Sequence, residues 1–582
     1  MRAARGVTVA ETRTSFGARA RDRWRPRVLL PSNRSPMRLL SFALLASLVP
    51  VAAGAQAAAA SPITAAEIDG DLRFLSSDLL EGRAPATRAD KLTTEYIADQ
   101  LRSAGVEPGV DGSYFQTVPI DVVKADPASI KVAATGKATM TLRSPDDVVV
   151  FAGSAVEQSK AHGELVYVGY GAAASEYKWD DYKGMDVKGK ILLVLVNDPP
   201  ATAAEPQLFG GKAMTYYGRW TYKYEEAERR GAAGVLIVHT TEAASYPWHT
   251  VVGSWSGEQR MLPRDSSSPP PLGLRGWITD SAATVLLEQA GLDMAKLRKD
   301  AESRDFKPVS TGIDIDFSAT NSVKHLSSEN VVGVVRGTDP KLKDQYVAIS
   351  AHWDHLGIGV PVNGDSIYNG SVDNGSGVAS TLAIARAAAK MPRAKRSLIF
   401  LFVTAEESGL LGSQYFGEHP TVPAANIVAD LNLDVVTVSG RVNDLDVMGD
   451  NKSTLGPMLA SQVKAQGIRL SPDAHPEAGH FYRSDHFSFA IVGIPSVSIG
   501  AGEDYAGKPK DYGAKVDEDY NAHRYHQPSD AYSPDFDLSG AVQISSIVLK
   551  FAHTLANAAV TPTWNAHAEL KGSLEKSLKP VA

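Results

Sequence analysis

The sequence predicts an α/β protein with a mostly parallel central sheet flanked by helices and a separate, inserted β-rich domain. From residue 320 onward, short apolar runs alternate with helical patterns, as in parallel sheets whose strands are joined by helices. The run RSLIFLFVTA is almost continuously apolar, which is typical of a strand buried on both faces. The chain has 582 residues, too many for one compact domain, so we expect at least two.

The first part of the main domain is predicted at residues 62–134. The segments TAAEIDGDLRFLSSDLL and ADKLTTEYIADQLRSAG both carry apolar residues at helical spacing, and Gly105 is a suitable stop for the second helix. The segment SYFQTVPIDVV, which follows, is predicted to be a strand.

Residues 135–319 differ in their sequence pattern and are predicted to form the inserted β-rich domain. The runs GELVYVGYG, KGKILLVLVNDP and AAGVLIVHT are typical of short strands, and loops rich in glycine, proline and aromatic residues separate them. Only YKYEEAERRG clearly indicates a helix. The change of pattern at both ends predicts a module inserted between two parts of the main domain.

The second part of the main domain is predicted at residues 320–560. Its predicted strands are ENVVGVVRG, DQYVAISAHWD, RSLIFLFVTAEE, NIVADLNLDVV and IPSVSIG. Its predicted helices are SGVASTLAIARAAAKM, GSQYFGEHP, STLGPMLASQVKAQG and SGAVQISSIVLKFAHTLANAA. Residues 561–582 are interpreted as a polar tail.

Residues 1–60 are interpreted as an N-terminal extension followed by a signal peptide. A short positive start at Met37-Arg38, an apolar stretch from Leu39 to Val51 and small-residue cleavage sites near residues 55–57 match the build of a secretory signal. Met37 is then the expected initiator, and we expect export to the periplasm or the extracellular space. No run of 18 apolar residues occurs, so no integral membrane segment is expected after signal cleavage.

Charge and cysteine content exclude several kinds of site. The whole chain has a formal net charge of -7, and without residues 1–60 it has 49 basic and 64 acidic residues, a net charge of -15. Such a balance disfavours nucleic acid as a partner. The chain contains no cysteine, which excludes disulfides and thiolate metal sites. Any metal must therefore be held by histidine, aspartate and glutamate.

Histidine and acidic residues concentrate where the predicted strands end, and the ends of parallel strands are where sites form in such sheets. Five of them are candidate metal ligands: His352, Asp373, Glu407, Asp434 and His526. Three carboxylates and a hydroxide balance the charge of two divalent ions better than that of one.

Three neighbours of these ligands have separate expectations. Glu406 and Glu407 diverge on extended backbone, so one can bind metal while the other acts as a general base; the residues alone leave open which is which. His355 points off the strand face that carries His352, so we expect a loop or supporting role for it. Asp530 is expected to be a turn or helix cap.

The motifs HWDHLG, SVDNGSGVA, TAEESGLLGS, NLD, RSDHFSF…GIPSVSIG and YHQPSD together resemble those of the M28 family of co-catalytic zinc peptidases. The inserted segment resembles a protease-associated (PA) domain through KGKILLVLV and RRGAAGVLIVHT. The resemblance implies a zinc-exopeptidase-like fold and two Zn2+ per chain. It implies that His352 and Asp434 bind the first zinc, Asp373 bridges, and Glu407 and His526 bind the second. It further implies that Glu406 is the general base, that Asp354 orients His352, and that Tyr482 polarises the scissile carbonyl.

The resemblance therefore implies an exported aminopeptidase that acts on peptide or protein substrates. Two alternatives are retained: a one-zinc acyltransferase of the glutaminyl-cyclase type, and a catalytically dead binding protein, which the complete ligand set disfavours. The aromatic segments YYGRWTYKY and SYPWHTVVGSW of the insert are interpreted either as the wall of a substrate entrance or as internal packing of the insert.

Overall fold

The computed structural model describes residues 62–565 of the chain, except residues 245 and 265–267. The predicted signal peptide, the initiator Met37 and the tail from residue 566 lie outside the described residues. Within the described residues, no helix is long and apolar enough to cross a membrane.

Elements up to residue 308 belong to the first part of the main domain and to most of the insert. The helices here are α1 (Ala65–Leu75), α2 (Arg88–Ser103), α3 (Trp220–Arg229), α4 (Thr241–Ala244), α5 (Trp248–Trp255), α6 (Asp280–Gln289) and α7 (Met294–Ala301). The strands are β1 (Glu107–Pro108), β2 (Phe115–Ala125), β3 (Lys131–Thr135), β4 (Thr139–Thr141), β5 (Val148–Phe151), β6 (Gln158–Tyr167), β7 (Ala173–Ala174), β8 (Trp179–Asp180), β9 (Ile191–Leu195), β10 (Gly234–His239), β11 (Gln259–Met261) and β12 (Leu274–Thr279).

The elements from residue 309 onward begin with a strand shared by both sheets and continue into the main domain. The strands are β13 (Val309–Val335), β14 (Tyr346–His352), β15 (Gly357–Val362), β16 (Asp365–Tyr368), β17 (Ser397–Val403), β18 (Ile427–Asn432), β19 (Asp444–Met448), β20 (Arg469–Ser471) and β21 (Ser496–Ala501). The helices are α8 (Gly377–Lys390), α9 (Leu411–Glu418), α10 (Leu455–Lys464), α11 (His486–Ile491), α12 (Tyr512–His523) and α13 (Ser539–Asn557).

The main sheet has the strand order β11-β2-β13-β17-β14-β18-β21-β19-β20, and β1 pairs with the end of β13. Its centre is the parallel run β17-β14-β18-β21. These strands are buried on both faces, so alternate residues enter different cores: Val347 and Ile349 pack with α8 and α13, whereas Ala348 packs with α9 and α11. The predicted α/β fold with a mostly parallel centre is confirmed.

One long strand, β13, joins the main sheet to a second sheet. Its first half pairs with β3 and β6, and its second half pairs with β2 and β17. Only its apolar end, ENVVGVVRG, was predicted from the sequence. The earlier part also carries a strand signal, because residues 313–319 alternate apolar and polar side chains, and this signal was missed.

The second sheet has the order β4-β3-β13-β6-β9-β10-β12-β5 and contains the parallel run β6-β9-β10-β12. The insert also contains α4 to α7, which the sequence analysis did not identify. Helix α6 begins directly after β12, and its start is fixed by the Thr279 hydroxyl, which accepts a hydrogen bond from the Ala282 N–H at 3.2 Å. No loop separates the two elements, so loop composition could not mark this helix.

Candidate metal centre

Three neighbouring parallel strands bring polar side chains to one edge of the main sheet. Strand β14 ends at His352, which is in register with Val403 at the end of β17, and Glu406 and Glu407 follow three residues later. Strand β18 leads to Asp434, and the preceding Leu433 N–H donates to the Ser350 carbonyl of β14 at 2.8 Å. The strand order therefore gathers side chains that are far apart in sequence.

Asp373 lies between the other candidate ligands and presents its two carboxylate oxygens to different partners. Oδ1 lies 3.3 Å from the His352 Nε2 atom, and Oδ2 lies 3.4 Å from the His526 Nε2 atom. The loop that carries Asp373 is held by Asp530, whose carboxylate accepts hydrogen bonds from the backbone N–H groups of Val372 and Asp373, both at 3.0 Å. Asp530, expected to be a local turn or cap residue, thus fixes a loop distant in sequence.

The first ligand group consists of His352, Asp373 and Asp434, whose nearest donor atoms all lie within 4.8 Å of one another. The His352 Nε2 atom is 3.2 Å from Asp434 Oδ1. The other Asp434 oxygen accepts a hydrogen bond from the Ser484 hydroxyl at 2.6 Å. Serine therefore fixes one carboxylate oxygen and leaves the other directed at the histidine.

The second group consists of His355, Asp373 and Glu407, again with donor atoms within 4.8 Å. His526 joins this group, because its Nε2 atom lies 3.0 Å from Glu407 Oε2. The buried His355 places its Nδ1 atom 2.7 Å from Glu407 Oε1, but the pair is not aligned as a hydrogen bond. His355 therefore lies within the centre, a placement that the direction of β14 did not indicate.

Several polar atoms of the centre are buried without a hydrogen-bond partner among the described residues. They are both ring nitrogens of His355, Oε1 of Glu407 and Oδ2 of Asp354. Leaving such groups without a partner costs free energy, so the arrangement calls for a ligand. Imidazole nitrogens and carboxylate oxygens within this distance of one another form a donor set that zinc accepts, so the residues fit divalent metal.

The close packing of histidines and carboxylates also shifts the pKa values of the centre. Burial acts to lower the pKa of His352, but the carboxylates of Asp434 and Glu406 raise it well above its ordinary value. His526 is only partly buried; burial lowers its pKa, but Glu407 and Asp373 outweigh this and raise the pKa to about 10. Burial and the neighbouring Asp373 oppose ionisation of Glu407, but His526 and His355 bring its pKa down to about 2. Without metal, protons on the histidines compensate the carboxylates, and metal binding would release them.

Asp354 connects His352 to the turn that carries Glu406. Its Oδ1 atom lies 3.7 Å from His352 Nδ1 and accepts a hydrogen bond from the Glu406 N–H at 3.1 Å. Beneath it, the fully buried Arg83 donates to the backbone carbonyls of Trp353 and Gly370, both at 2.8 Å. Arg83 therefore ties β14 to the loop that carries Asp373, a role with no signal in the sequence.

Glu406 follows a left-handed residue, Ala405 (φ 54°), at the start of a single 3-10 turn. Burial raises the pKa of Glu406 well above its ordinary value. The positive charge of His352 opposes this shift, and repulsion from Glu407 adds to it. A carboxyl group with a raised pKa is suited to exchange a proton near neutral pH. The geometry thus gives the two adjacent glutamates different surroundings.

Two tyrosines lie near the centre. The ring of Tyr482 packs in an aromatic cluster with Phe481 and Phe487, and its hydroxyl accepts a hydrogen bond from Lys452 at 3.2 Å. Tyr525, which sequence reasoning did not select, stacks on the His526 ring with centroids 3.9 Å apart. Burial, then the carboxylates of Asp373 and Glu407, raise the pKa of Tyr525. Its adjacency to His526 in RYHQPSD was the available signal.

One aromatic loop of the insert contacts residues 476–487 of the main domain. The Tyr216 ring lies 5.0 Å from Phe487 and 5.9 Å from Tyr482, centroid to centroid. The Met214 N–H donates to the Pro476 carbonyl at 2.9 Å. The segment YYGRWTYKY therefore packs partly against the main domain, while a role at a substrate entrance stays a prediction.

Two family models match the chain. The model described as peptidase family M28 matches residues 330–552, which include the five candidate ligands and Glu406. The model described as PA domain matches residues 161–270, within the predicted insert.

Curated relatives also match the chain. "Probable leucine aminopeptidase 2" of Aspergillus oryzae is 29% identical over 279 residues, covering 47% of this chain and 49% of that protein. "Aminopeptidase NAALADL1" of Mus musculus is 25% identical over 396 residues, covering 59% and 48%. The chain thus spans about half the length of the curated relatives it matches.

The solved "Aminopeptidase from Aneurinibacillus sp. strain AM-1" is 20% identical with a TM-score of 0.46, covering 85% of this chain and 94% of that one. Residues 330–552 match peptidase family M28, and residues 161–270 match the PA domain.

Proposed function

We propose that this protein is an exported aminopeptidase that holds two zinc ions and uses Glu406 as its general base. The observation that carries the proposal is the position of Asp373, whose two oxygens face His352 on one side and His526 on the other. A carboxylate shared in this way is the bridge that a pair of metal ions requires. The family-model match and the named relatives support the same activity.

In this proposal His352 and Asp434 would hold the first zinc, Glu407 and His526 would hold the second, and Asp373 would be shared by both. When bound, the zinc ions supply Lewis-acid polarisation of water and of the scissile carbonyl. In this proposal the zinc-loaded centre would also bind the free amino group of a peptide N-terminus. The removal of N-terminal residues, rather than internal cleavage, follows from that binding.

Glu406 takes a proton from the attacking water and delivers it to the leaving amine nitrogen. Asp354 supports this step from behind, because its carboxylate holds the Glu406 N–H and lies beside His352. Of the two tyrosines, Tyr525 has the better support as the group that polarises the carbonyl, since its ring stacks on the candidate ligand His526 with centroids 3.9 Å apart. Tyr482 remains the alternative.

Export by a signal peptide is part of the proposal and rests on the pattern from Met37 to residue 57. Peptides or proteins are the proposed substrates. The acidic balance of the chain beyond residue 60 supports neither nucleic acid nor an anionic membrane surface as a partner.

The test compares the purified protein with Glu406→Gln, using a panel of aminoacyl amides and their N-blocked counterparts. We expect turnover of free aminoacyl substrates, no turnover of blocked ones, and a fall of roughly 1000-fold or more in Glu406→Gln with metal content unchanged. Elemental analysis should find two zinc ions per chain. One zinc per chain at full activity would contradict the two-zinc mechanism, and fast cleavage of blocked peptides would exclude an aminopeptidase.

A further inference from the structure

A cavity of about 560 Å³ lies directly beside the centre, with Asp434 in its wall. The opposite walls come from β19, β21 and helix α12. Helix α12 has only Gly513 buried among its residues, so most of its side chains face either the cavity or solvent. The chain leaves α12 and reaches Tyr525 and His526, so one segment forms both the cavity wall and part of the centre.

The carboxylate of Asp446 lies in the cavity wall, next to small residues of the neighbouring strand. Asp446 of β19 is directly opposite Gly500 of β21, and Met448 is opposite Ser498. Opposed residues of an antiparallel pair project to the same face, so the small residues at 498 and 500 leave space beside Asp446 and Met448. A Cβ atom built at Gly500 would meet nothing within 4 Å except the Asp446 carbonyl oxygen at 3.8 Å.

The positive charges in the wall are engaged elsewhere. Lys515 pairs with Asp511 at 2.6 Å, and Arg524 pairs with Asp530 at 3.4 Å. Neither Asp446 nor Asp517 forms an ion pair with any other described residue, and the buried Oδ1 atom of Asp446 accepts no hydrogen bond from one.

Asp444, two residues before Asp446 on the same strand, differs from it in having hydrogen-bond partners among the described residues. Its carboxylate accepts hydrogen bonds from Ser471, from Arg469 at 3.2 Å and from the Asp504 N–H at 3.0 Å. Asp444 is thus a structural carboxylate with a full set of partners, whereas Asp446, two residues away on the same strand, faces open space.

The pKa of Asp446 is raised, as expected for a carboxylate with no positive group beside it among the described residues. Burial, and then repulsion from Asp473, Asp450 and other acids, raises the pKa of Asp446 to about 7. Burial and Glu503 likewise raise the pKa of Asp517 to about 6. A cation placed between the two carboxylates would relieve this repulsion.

We propose that this cavity binds the side chain of the substrate's N-terminal residue and that Asp446 selects a cationic one, lysine or arginine. The inference rests on the proposed aminopeptidase function, because a residue whose amino group and carbonyl lie at the centre would extend its side chain past Asp434. The apolar wall, which includes Val435, Val438 and Met448, suits the methylene stem of such a side chain.

The test uses matched substrates that differ only in charge: lysyl against norleucyl amides of aminomethylcoumarin, and arginyl against citrullyl amides. In the wild-type protein we expect kcat/KM to favour each charged member by roughly 10- to 100-fold. Asp446→Asn should remove most of that preference while leaving norleucine cleavage within about threefold, which also shows that the variant folds. An unchanged charge preference in Asp446→Asn would overturn the proposal.

Two further variants sharpen the test. Asp519→Asn removes an exposed charge, 68% accessible, from the cavity rim and should change the preference by less than about threefold. Gly500→Val should reduce cleavage of all long side chains but spare alanyl amides, because it fills the space beside Asp446.

Failure of the proposed function is recognised separately, by calorimetric binding of lysine amide and norleucine amide to the zinc-loaded protein. If no aminoacyl substrate is cleaved, tighter binding of lysine amide that is lost in Asp446→Asn would still support the cavity assignment. Equal binding of the two amides would overturn it.

Discussion

The two sheets of this protein both contain a run of four parallel strands but use it differently. Each has a run of four neighbouring parallel strands, β17-β14-β18-β21 in the main sheet and β6-β9-β10-β12 in the second. In the second sheet the polar residues after the strands are engaged locally. Asp198 accepts hydrogen bonds from the Thr215 N–H and hydroxyl, both at 2.7 Å, and His239 lies 2.9 Å from the Tyr246 carbonyl oxygen.

In the main sheet the corresponding residues converge on one another instead. His352, Asp434 and Glu407 face other ligands, and some of their neighbours have buried atoms without partners among the described residues. Strand order alone therefore does not make a site. The difference lies in whether the polar groups at the strand ends complete their hydrogen bonds within their own loops.

Replacing Asp373, the proposed bridging ligand, tests the difference between the two sheets most directly. Asp373→Asn should lower zinc content below two per chain and reduce turnover by roughly 1000-fold or more, because both ligand groups lose an anionic oxygen. Elemental analysis and kinetics on the same sample measure both effects. Asp198→Asn in the second sheet is the control: zinc and activity should persist, with about 1–2 kcal/mol less stability. Full zinc content in Asp373→Asn would disprove the bridge.

His355 provides the next largest effect. Because its ring lies against Glu407 in the second ligand group, His355→Gln should weaken zinc affinity by roughly 10- to 100-fold. Competition with a chelator measures this directly. His239→Gln, at the end of a strand in the second sheet, should leave zinc affinity unchanged, and equal affinities in all three proteins would make His355 a packing residue only.

A histidine behind the centre should make the fold sensitive to acid. Burial lowers the pKa of His486 to about 3, whereas an unfolded histidine titrates near 6.5. The unfolded chain therefore binds a proton that the folded one does not, so stability is complete above about pH 6.5 and is lost as the pH falls toward 3. At pH 5 the loss from this group is about 2 kcal/mol.

His486→Phe keeps a ring next to Phe481, 4.9 Å from it in the wild type, and removes the titration. Urea unfolding at pH 7 and pH 5 should show a smaller loss in the variant than in the wild type. An identical loss in both would assign the acid sensitivity to other groups.

The smallest expected effect is in the second sheet, where strand-end residues support the fold alone. Thr279→Ala removes the N-cap of α6 and should cost about 1 kcal/mol with no change in kcat/KM. Thr87→Ala is a matched control, because the Thr87 side chain makes no capping hydrogen bond to α2, and its cost should be smaller. A loss of activity in Thr279→Ala would mean that the two sheets are coupled.

The elements that the sequence predicted well are those with a strong periodic pattern. The apolar strands β14, β17 and β18 and the long helices α8 and α13 occur where the patterns indicate. The residues that follow those strands could be named because chemistry concentrates there. The insert's added helices were not predicted, and neither was the first half of β13, although residues 313–319 alternate apolar and polar side chains as a one-sided strand does.

Supporting residues were harder to predict than candidate ligands. Asp530 holds the Asp373 loop from 157 residues away, and Arg83 binds backbone carbonyls of two distant segments. A carboxylate or guanidinium that binds backbone carries no signature in composition or spacing. Only the HWDH and YH pairs offered local hints of His355 and Tyr525.

The sequence by itself determined the alternation of strands and helices, the acidic balance, the absence of cysteine and the residues that follow each strand, because these depend on local pattern and composition. Only the tertiary structure decided which of those residues meet. Strand order and register set the distances between His352, Asp373 and His526, and they also set the space beside Asp446 opposite Gly500. Contacts between residues so far apart in sequence depend on how the whole sheet assembles.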